Sequence, residues 1–196
     1  MSETERENWD RRYAEGDYKP RTGPAPFLEE WLSRLPTGRA LDVACGAGRN
    51  ALRLAEADYA TEAVDISETA IERARSEADR RGLKIEWRTA DLDEVELPEA
   101  KYDLITVIGY LNRDLWPRLV AALSPSGAVL IEHHLQTEAA VEGPQSPEFR
   151  LHPQELLEAF GDLRIVYYRE TLEPADRPNA TYALARMVAY RGYPGF

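Results

Sequence analysis

From residue 39 onward, short apolar runs alternate with amphipathic stretches. Residues 39–44 (Arg-Ala-Leu-Asp-Val-Ala) predict a first strand, and 50–57 a helix with Ala51, Leu52, Leu54 and Ala55 on or near one face. Residues 61–66 predict a second strand. Ser67 is placed to cap the following helix, Glu68 suits its first turn, and Gly82 is a good stop. Ile71, Ala74 and Ala78 share one face of that helix, and Arg73–Glu77 and Glu77–Arg81 stand at i,i+4. Residues 83–89 and 102–109 predict a third and a fourth strand. A helix follows over 114–123, ended by a Ser-Pro-Ser-Gly turn at 124–127, and then a fifth strand over 128–133. Residues 136–152 carry Gly143, Pro144 and Pro147 without periodicity, which marks a long loop with the character of a lid. A short helix over 153–160 precedes two last strands, 163–169 and 181–190, joined by a turn-rich stretch with Pro174 and Pro178. Two helical pieces before residue 39, about 3–15 and 24–35, read as an N-terminal flap.

Strands alternating with helices imply βαβ units, a parallel sheet and right-handed crossovers, hence an α/β fold. The last two strands have no helix between them. The link is too short for a crossover, so they are expected to pair antiparallel.

Composition narrows the function. The chain has 196 residues, 43% of them hydrophobic, enough to fold as one domain without staples. Its net charge of −11 argues against a nucleic-acid binder or a protein of anionic membrane surfaces. The single cysteine, Cys45, allows neither an internal disulfide nor a cysteine cluster for zinc, and no metal is expected. The longest apolar run, 128–131, is far short of the roughly 20 residues that cross a bilayer. Residues 1–10 are polar and acidic, unlike a signal peptide. The expectation is a cytoplasmic protein acting on a small molecule.

The most informative segment runs Leu41-Asp42-Val43-Ala44-Cys45-Gly46-Ala47-Gly48-Arg49-Asn50, where a strand ends, a glycine turn follows and a helix begins. Gly46 and Gly48 let the backbone approach a ligand where a Cβ would clash. In open α/β sheets such a crevice lies at the carboxyl ends of the strands. The spacing fits the loose dinucleotide pattern, and Asp65, 65 − 46 = 19 residues on, stands where a ribose-binding acid is expected. NAD and S-adenosyl-L-methionine fit that spacing almost equally. Three features favour the second. Asp42 would repel a pyrophosphate but could meet the amino-acid end of a sulfonium nucleoside, directly or through water, its other reading being a cap on the nearby helix. Asp91 and Leu92 close the third strand where an adenine amino group would lie. An antiparallel finish does not suit a dinucleotide domain of six parallel strands.

On these residues the chain resembles the class I S-adenosylmethionine-dependent methyltransferases, and within them the tellurite-resistance methyltransferase-like group. The likeness rests on residues 42–51, on Ala63-Val64-Asp65-Ile66-Ser67, on Ala90-Asp91-Leu92, on Tyr102-Asp103-Leu104-Ile105 and Tyr110-Leu111-Asn112-Arg113, and on Trp9-Asp10-Arg11-Arg12-Tyr13 near the start. Two positions depart from the family pattern: Ala44 replaces the first glycine of the loop, and Ser126 stands in the usual Pro-Gly-Gly turn. The resemblance implies a Rossmann-like three-layer sandwich with a seven-stranded, mostly parallel sheet and an antiparallel C-terminal strand. Residues 1–36 would be the helical flap and 37–196 the core of a single domain. It implies S-adenosyl-L-methionine as cofactor, bound by Tyr13, Arg12, Asp42, Ala44, Cys45, Gly46, Gly48, Asn50, Asp65, Ile66, Asp91, Leu92 and Ile108. In that scheme Gly46 and Gly48 line the methionine moiety, and Asp65 accepts both ribose hydroxyls. Ile66 packs on the adenine, Asp91 and Leu92 hold its edge, and Ile108 faces the sulfonium. Tyr13 and Arg12 close over the methionine end.

The acceptor is less legible. Transfer to a soft nucleophile such as a thiol or chalcogen needs little base help, whereas an oxygen or amine acceptor would call on His133 or His134 as weak catalytic candidates. Alternation sends one of these histidines to each face of the sheet. Trp9, Trp31 and Trp116 suit the core, with Trp9 the candidate for the site. Arg113 reads as a salt-bridging or capping residue, Arg150 as a solvated charge, and Cys45 as a packed thiol rather than a nucleophile. An NAD(P)-binding oxidoreductase and a non-catalytic cofactor-binding relative remain the alternative readings.

Overall fold

A computed structural model describes residues 3–15, 21–175 and 178–193. Residues 16–20 of the expected flap, and 176 and 177 of the expected final turn, lie outside the described residues. Seven strands form one sheet: β1 (Arg39–Val43), β2 (Ala60–Asp65), β3 (Ile85–Thr89), β4 (Tyr102–Ile108), β5 (Leu123–His134), β6 (Arg164–Pro174) and β7 (Thr181–Tyr190). Their order is β3-β2-β1-β4-β5-β7-β6. The first five pair in parallel, and β7 runs antiparallel to both β5 and β6. The order reverses between β1 and β4, which opens a crevice at their carboxyl ends.

Among the described residues, six α-helices accompany the sheet: α1 (Glu3–Glu15), α2 (Pro26–Trp31), α3 (Arg49–Glu56), α4 (Glu68–Arg81), α5 (Trp116–Ala122) and α6 (Glu155–Ala159). On one face, Phe27, Leu28 and Trp31 of α2 and Leu54 of α3 pack over Ala40, Leu104, Leu130 and Val188. Ile71 of α4 and Ala51 of α3 pack on Ala63. On the other face, Leu119 of α5 and Leu156 of α6 pack over Val43, Ile105, Val107 and Ile131. The result is a Rossmann-like sandwich of three layers.

The best-defined local signals lie in α4. The Ser67 hydroxyl accepts from the Ala70 amide at 3.1 Å, and Gly82 closes the helix with φ +69°. One expectation changes. The Ser-Pro-Ser-Gly segment is not a free turn but part of β5. Tyr102 pairs with Leu123 and Leu104 with Ala128, so 124–127 bulge opposite Asp103 alone. Ser124 Oγ ties the bulge to Asp103 Oδ1 at 2.8 Å.

Residues 136–152, expected to have the character of a lid, are tied to β5 by backbone hydrogen bonds and to one another by a buried arginine. Arg150, expected in solvent, is only 7% exposed. Its guanidinium donates to the carbonyls of Pro144 (2.7 Å), Leu135 (3.0 Å) and Glu142 (3.1 Å). The loop thus folds around the cation. Arg113 behaves as expected, donating to Glu155 Oε2 at 2.9 Å.

Candidate cofactor and acceptor cavity

The crevice at the β1/β4 reversal is a cavity of about 540 Å³. The turn after β1 forms its floor. Ala44 and Gly46 both take left-handed φ values, +52° and +53°. Glycine adopts such a φ freely, whereas Ala44 does so at a cost on the order of 1 kcal/mol, which the flanking strand and helix impose. A Cβ at Gly46 would stand 2.5 Å from the Tyr13 hydroxyl, so this glycine admits the flap.

Asp65 ends β2 beside that turn. Its Oδ2 accepts from the Gly46 amide at 2.7 Å and its Oδ1 from the Ser67 amide at 2.9 Å. Burial raises its pKa, against the opposing pull of those amides. Each oxygen keeps a lone pair for another donor, as a diol would require. Ile66 and Leu92 supply apolar wall, Asn50 and Cys45 complete the floor, and Ile108 stands at the end of β4. Burial pushes the Cys45 thiol well above its ordinary pKa, which leaves it protonated and poorly nucleophilic.

Ala44, Cys45, Gly46, Asn50, Asp65, Ile66, Leu92, Ile108 and Tyr13 thus meet on one wall, with Trp9 of the flap beside them. Other expected site residues are placed elsewhere. Asp42 does not reach the cavity. It is 1% exposed, its Oδ2 accepts from the Ala51 amide at 3.0 Å, and its Oδ1 lies 2.8 Å from Thr106 Oγ1. It therefore caps α3 from the neighbouring strand. Gly48 is the N-cap of α3, and its missing Cβ makes room for Trp87 and Ala74 at 2.7 and 2.9 Å. Asp91 starts the turn after β3, its Oδ1 accepting from the Asp93 amide at 2.8 Å. Arg12 is exposed, its guanidinium 4.9 Å from the Trp9 ring centre.

The two histidines part as alternation requires. His133 turns to the α5/α6 face, where its Nε2 lies 3.0 Å from the Phe149 carbonyl oxygen. His134 lines the cavity, edge-on to Tyr182 with ring centres 5.5 Å apart. Burial lowers its pKa to about 4, so it is neutral at pH 7 and a weak base.

Sequence reasoning missed Arg21, Arg49, Tyr110, Glu142, Gly143 and Tyr182, which line the same cavity. Tyr110 follows β4 directly and was findable from the rule that ligands sit at strand carboxyl ends. Tyr182 was findable too: β7 is reversed, so its first residues lie at that same edge. Arg21 carries no local signal. It reaches Tyr182 with a hydrogen bond of 2.9 Å to the phenol oxygen.

Comparison with known proteins fits this geometry. Residues 40–130 match the model of a family described as a methyltransferase domain. That match runs from β1 into β5 and takes in the glycine turn and Asp65. The chain is 29% identical over 131 residues to a ubiquinone biosynthesis O-methyltransferase of Bordetella avium, covering 62% of this chain and 53% of that one. The chain thus spans about half the length of that relative. Among solved structures, TehB from Haemophilus influenzae superposes with a TM-score of 0.75 at 20% identity, over 93% of this chain and 67% of that one. A structure concerned with conversion of a disulfide bond into a thioacetal group during echinomycin biosynthesis superposes with a TM-score of 0.74 at 22% identity, over 96% and 92%. At those identities the two structures show the fold alone. Among the described residues, no helix is long and apolar enough to cross a membrane, and no three His, Cys, Asp or Glu side chains are grouped to hold a metal.

Proposed function

We propose that the chain transfers a methyl group from S-adenosyl-L-methionine to a small soft nucleophile, a thiol or a chalcogen. In this reading its residues act as one domain, with 1–36 as the flap. The carrying observation is the cavity itself. Its floor pairs Gly46 with a buried carboxylate, Asp65, and its far wall offers His134, a base too weak to deprotonate an alcohol or amine at neutral pH.

The residues present fit the cofactor. Asp65 has acceptor capacity for a ribose diol, Ile66 and Leu92 are apolar surface for a purine, and the Gly46 turn leaves space under Tyr13. When bound, S-adenosyl-L-methionine supplies an electrophilic methyl group for in-line displacement. The protein has only to orient that group, hold the acceptor near it and exclude water. Trp9 and Tyr13 close the cavity from the flap. Tyr182, His134 and Tyr110 surround the acceptor end. The echinomycin neighbour, described with chemistry at sulfur, supports a sulfur-like acceptor.

Thermal melting with S-adenosyl-L-methionine, S-adenosyl-L-homocysteine and NADH tests this. A ligand at 100 times its dissociation constant stabilises by about 2.7 kcal/mol, a shift of about 5 to 11 °C in a chain of this size. A shift with the first two and none with NADH is expected, and Asp65→Ala should abolish it. A shift with NADH alone would replace this reading with a dinucleotide enzyme. Binding without turnover of any thiol or chalcogen acceptor would favour a non-catalytic relative.

A further inference from the structure

Helix α1 lies on the rest of the fold with most of its surface in solvent. Of its 13 residues only Tyr13 is buried, with Trp9 and Asp10 half-buried and the remainder facing solvent or nearly so. Yet α1 supplies both Trp9 and Tyr13 to the cavity wall. One of its anchors is a carboxylate set on the first turn of α4. Asp10 Oδ1 accepts from Ser67 Oγ at 2.6 Å and from the Thr69 amide at 3.1 Å. The first-turn amides of a helix are otherwise unsatisfied, and its dipole favours an anion there.

Ser67 connects this contact to the cavity. Its hydroxyl also accepts from the Ala70 amide at 3.1 Å, and its own amide donates to Asp65 Oδ1 at 2.9 Å. The other Asp65 oxygen accepts from the Gly46 amide, over which the Tyr13 hydroxyl sits. The connections form a ring: flap to α4, α4 to Asp65, Asp65 to Gly46, and Gly46 back to the flap.

We propose that Asp10 is the positioning residue that latches α1, through Ser67 and Thr69, so that Trp9 and Tyr13 close the cavity over a bound sulfonium nucleoside. The inference rests on the cofactor reading above. With the latch released, α1 lifts, the methionine end opens to water, and the ligand leaves faster. Asp10 is not among the residues that line the cavity. It acts on how long the closed cavity lasts.

The test compares Asp10→Ala and Asp10→Asn with the parent full-length chain. Three quantities are read: the dissociation rate of S-adenosyl-L-homocysteine, the split of KM against kcat for S-adenosyl-L-methionine, and hydrogen exchange of residues 3–15. Asp10→Ala should speed dissociation and raise KM about tenfold, the equivalent of about 1.4 kcal/mol, without lowering kcat. Its Tm should stay within about 2 °C of the parent, since the core is untouched, while α1 amides exchange faster. Asp10→Asn keeps an oxygen acceptor for Ser67 and Thr69 and should recover most of the effect. If the parent binds the homocysteine compound and Asp10→Ala releases it at the parent rate, the latch is overturned and the cofactor reading stands. If the parent binds neither sulfur compound, the cofactor reading fails first and the latch with it. A fall in kcat and Tm together, with KM unchanged, would show Asp10 to be a fold residue only.

Discussion

The two ends of the cavity are built in different ways. The floor of the cofactor end comes from chain that is nearly contiguous: the turn at 44–50 and the end of β2 at Asp65 and Ile66. Backbone amides there find their acceptors within about twenty residues, as Gly46 does with Asp65. The acceptor end is assembled from Arg21, Tyr110, His134, Glu142 and Tyr182, held together by a loop wound around Arg150. The first end depends on local turn geometry, and the second on one buried cation and on the order of strands. A change in one end should therefore leave the other largely intact.

The largest expected effect separates two glycines of the same turn. Gly48→Val places a branched side chain at φ +80° against Trp87 and Ala74. A loss of about 5 kcal/mol is expected, enough to unfold many domains of this size, with urea unfolding as the check. Gly46→Ala instead displaces Tyr13 and should weaken cofactor binding with a far smaller loss of stability. Equal losses of stability for both would erase the distinction between packing glycine and ligand glycine.

Asp42 comes next, beneath the cofactor end. Burial raises its pKa from 3.8 to about 7. The fold therefore favours its protonated form: the stabilisation is complete below pH 3.8 and is lost as the pH rises through about 7. Asp42→Asn mimics that form, with a carbonyl for the Ala51 amide and an amide for Thr106 Oγ1, whose own hydroxyl can turn to the Leu41 carbonyl at 3.4 Å. The variant should match the parent near pH 4 and exceed it at pH 8 by up to about 4 kcal/mol. Denaturation at the two pH values reads the difference, and a constant difference would mean that Asp42 is ionised in the fold throughout.

For the acceptor end, Arg150→Ala removes three carbonyl partners at once and should cost about 3 kcal/mol, chiefly in hydrogen-exchange protection of residues 136–152. Cofactor affinity should stay within about twofold, about 0.4 kcal/mol, if the two ends are independent. The smallest effect is expected at His134. His134→Ala should lower turnover of a thiol acceptor by less than about tenfold. A loss of about a hundredfold would instead mean base catalysis on a harder acceptor, despite a pKa near 4.

Sequence patterning reached the strands, the α4 caps and the antiparallel finish because each rests on neighbouring residues. The family resemblance named nine residues that line the cavity, Tyr13 and Asp65 among them. It also named Asp42 and Gly48, whose types and spacing suit a ligand as well as a helix cap, and which stand behind the lining. Only packing separates those roles: Asp42 finds Ala51 and Thr106, and Gly48 finds Trp87. Arg150 misled for a similar reason. An arginine in a Pro- and Gly-rich loop reads as solvated until three carbonyls are seen to converge on it.

By itself, then, the sequence determined the alternation of strand and helix, the glycine turn and the acid that answers it, since these follow from side-chain period and local backbone geometry. Tertiary structure decided which side of the sheet each histidine faces, which glycine admits Tyr13 of the flap and which admits a tryptophan. It also decided that Asp10 of the flap meets the start of α4, a contact made across a separation of 57 residues. Contacts of that range depend on how strands are ordered and helices are laid over them, and no local pattern encodes that order.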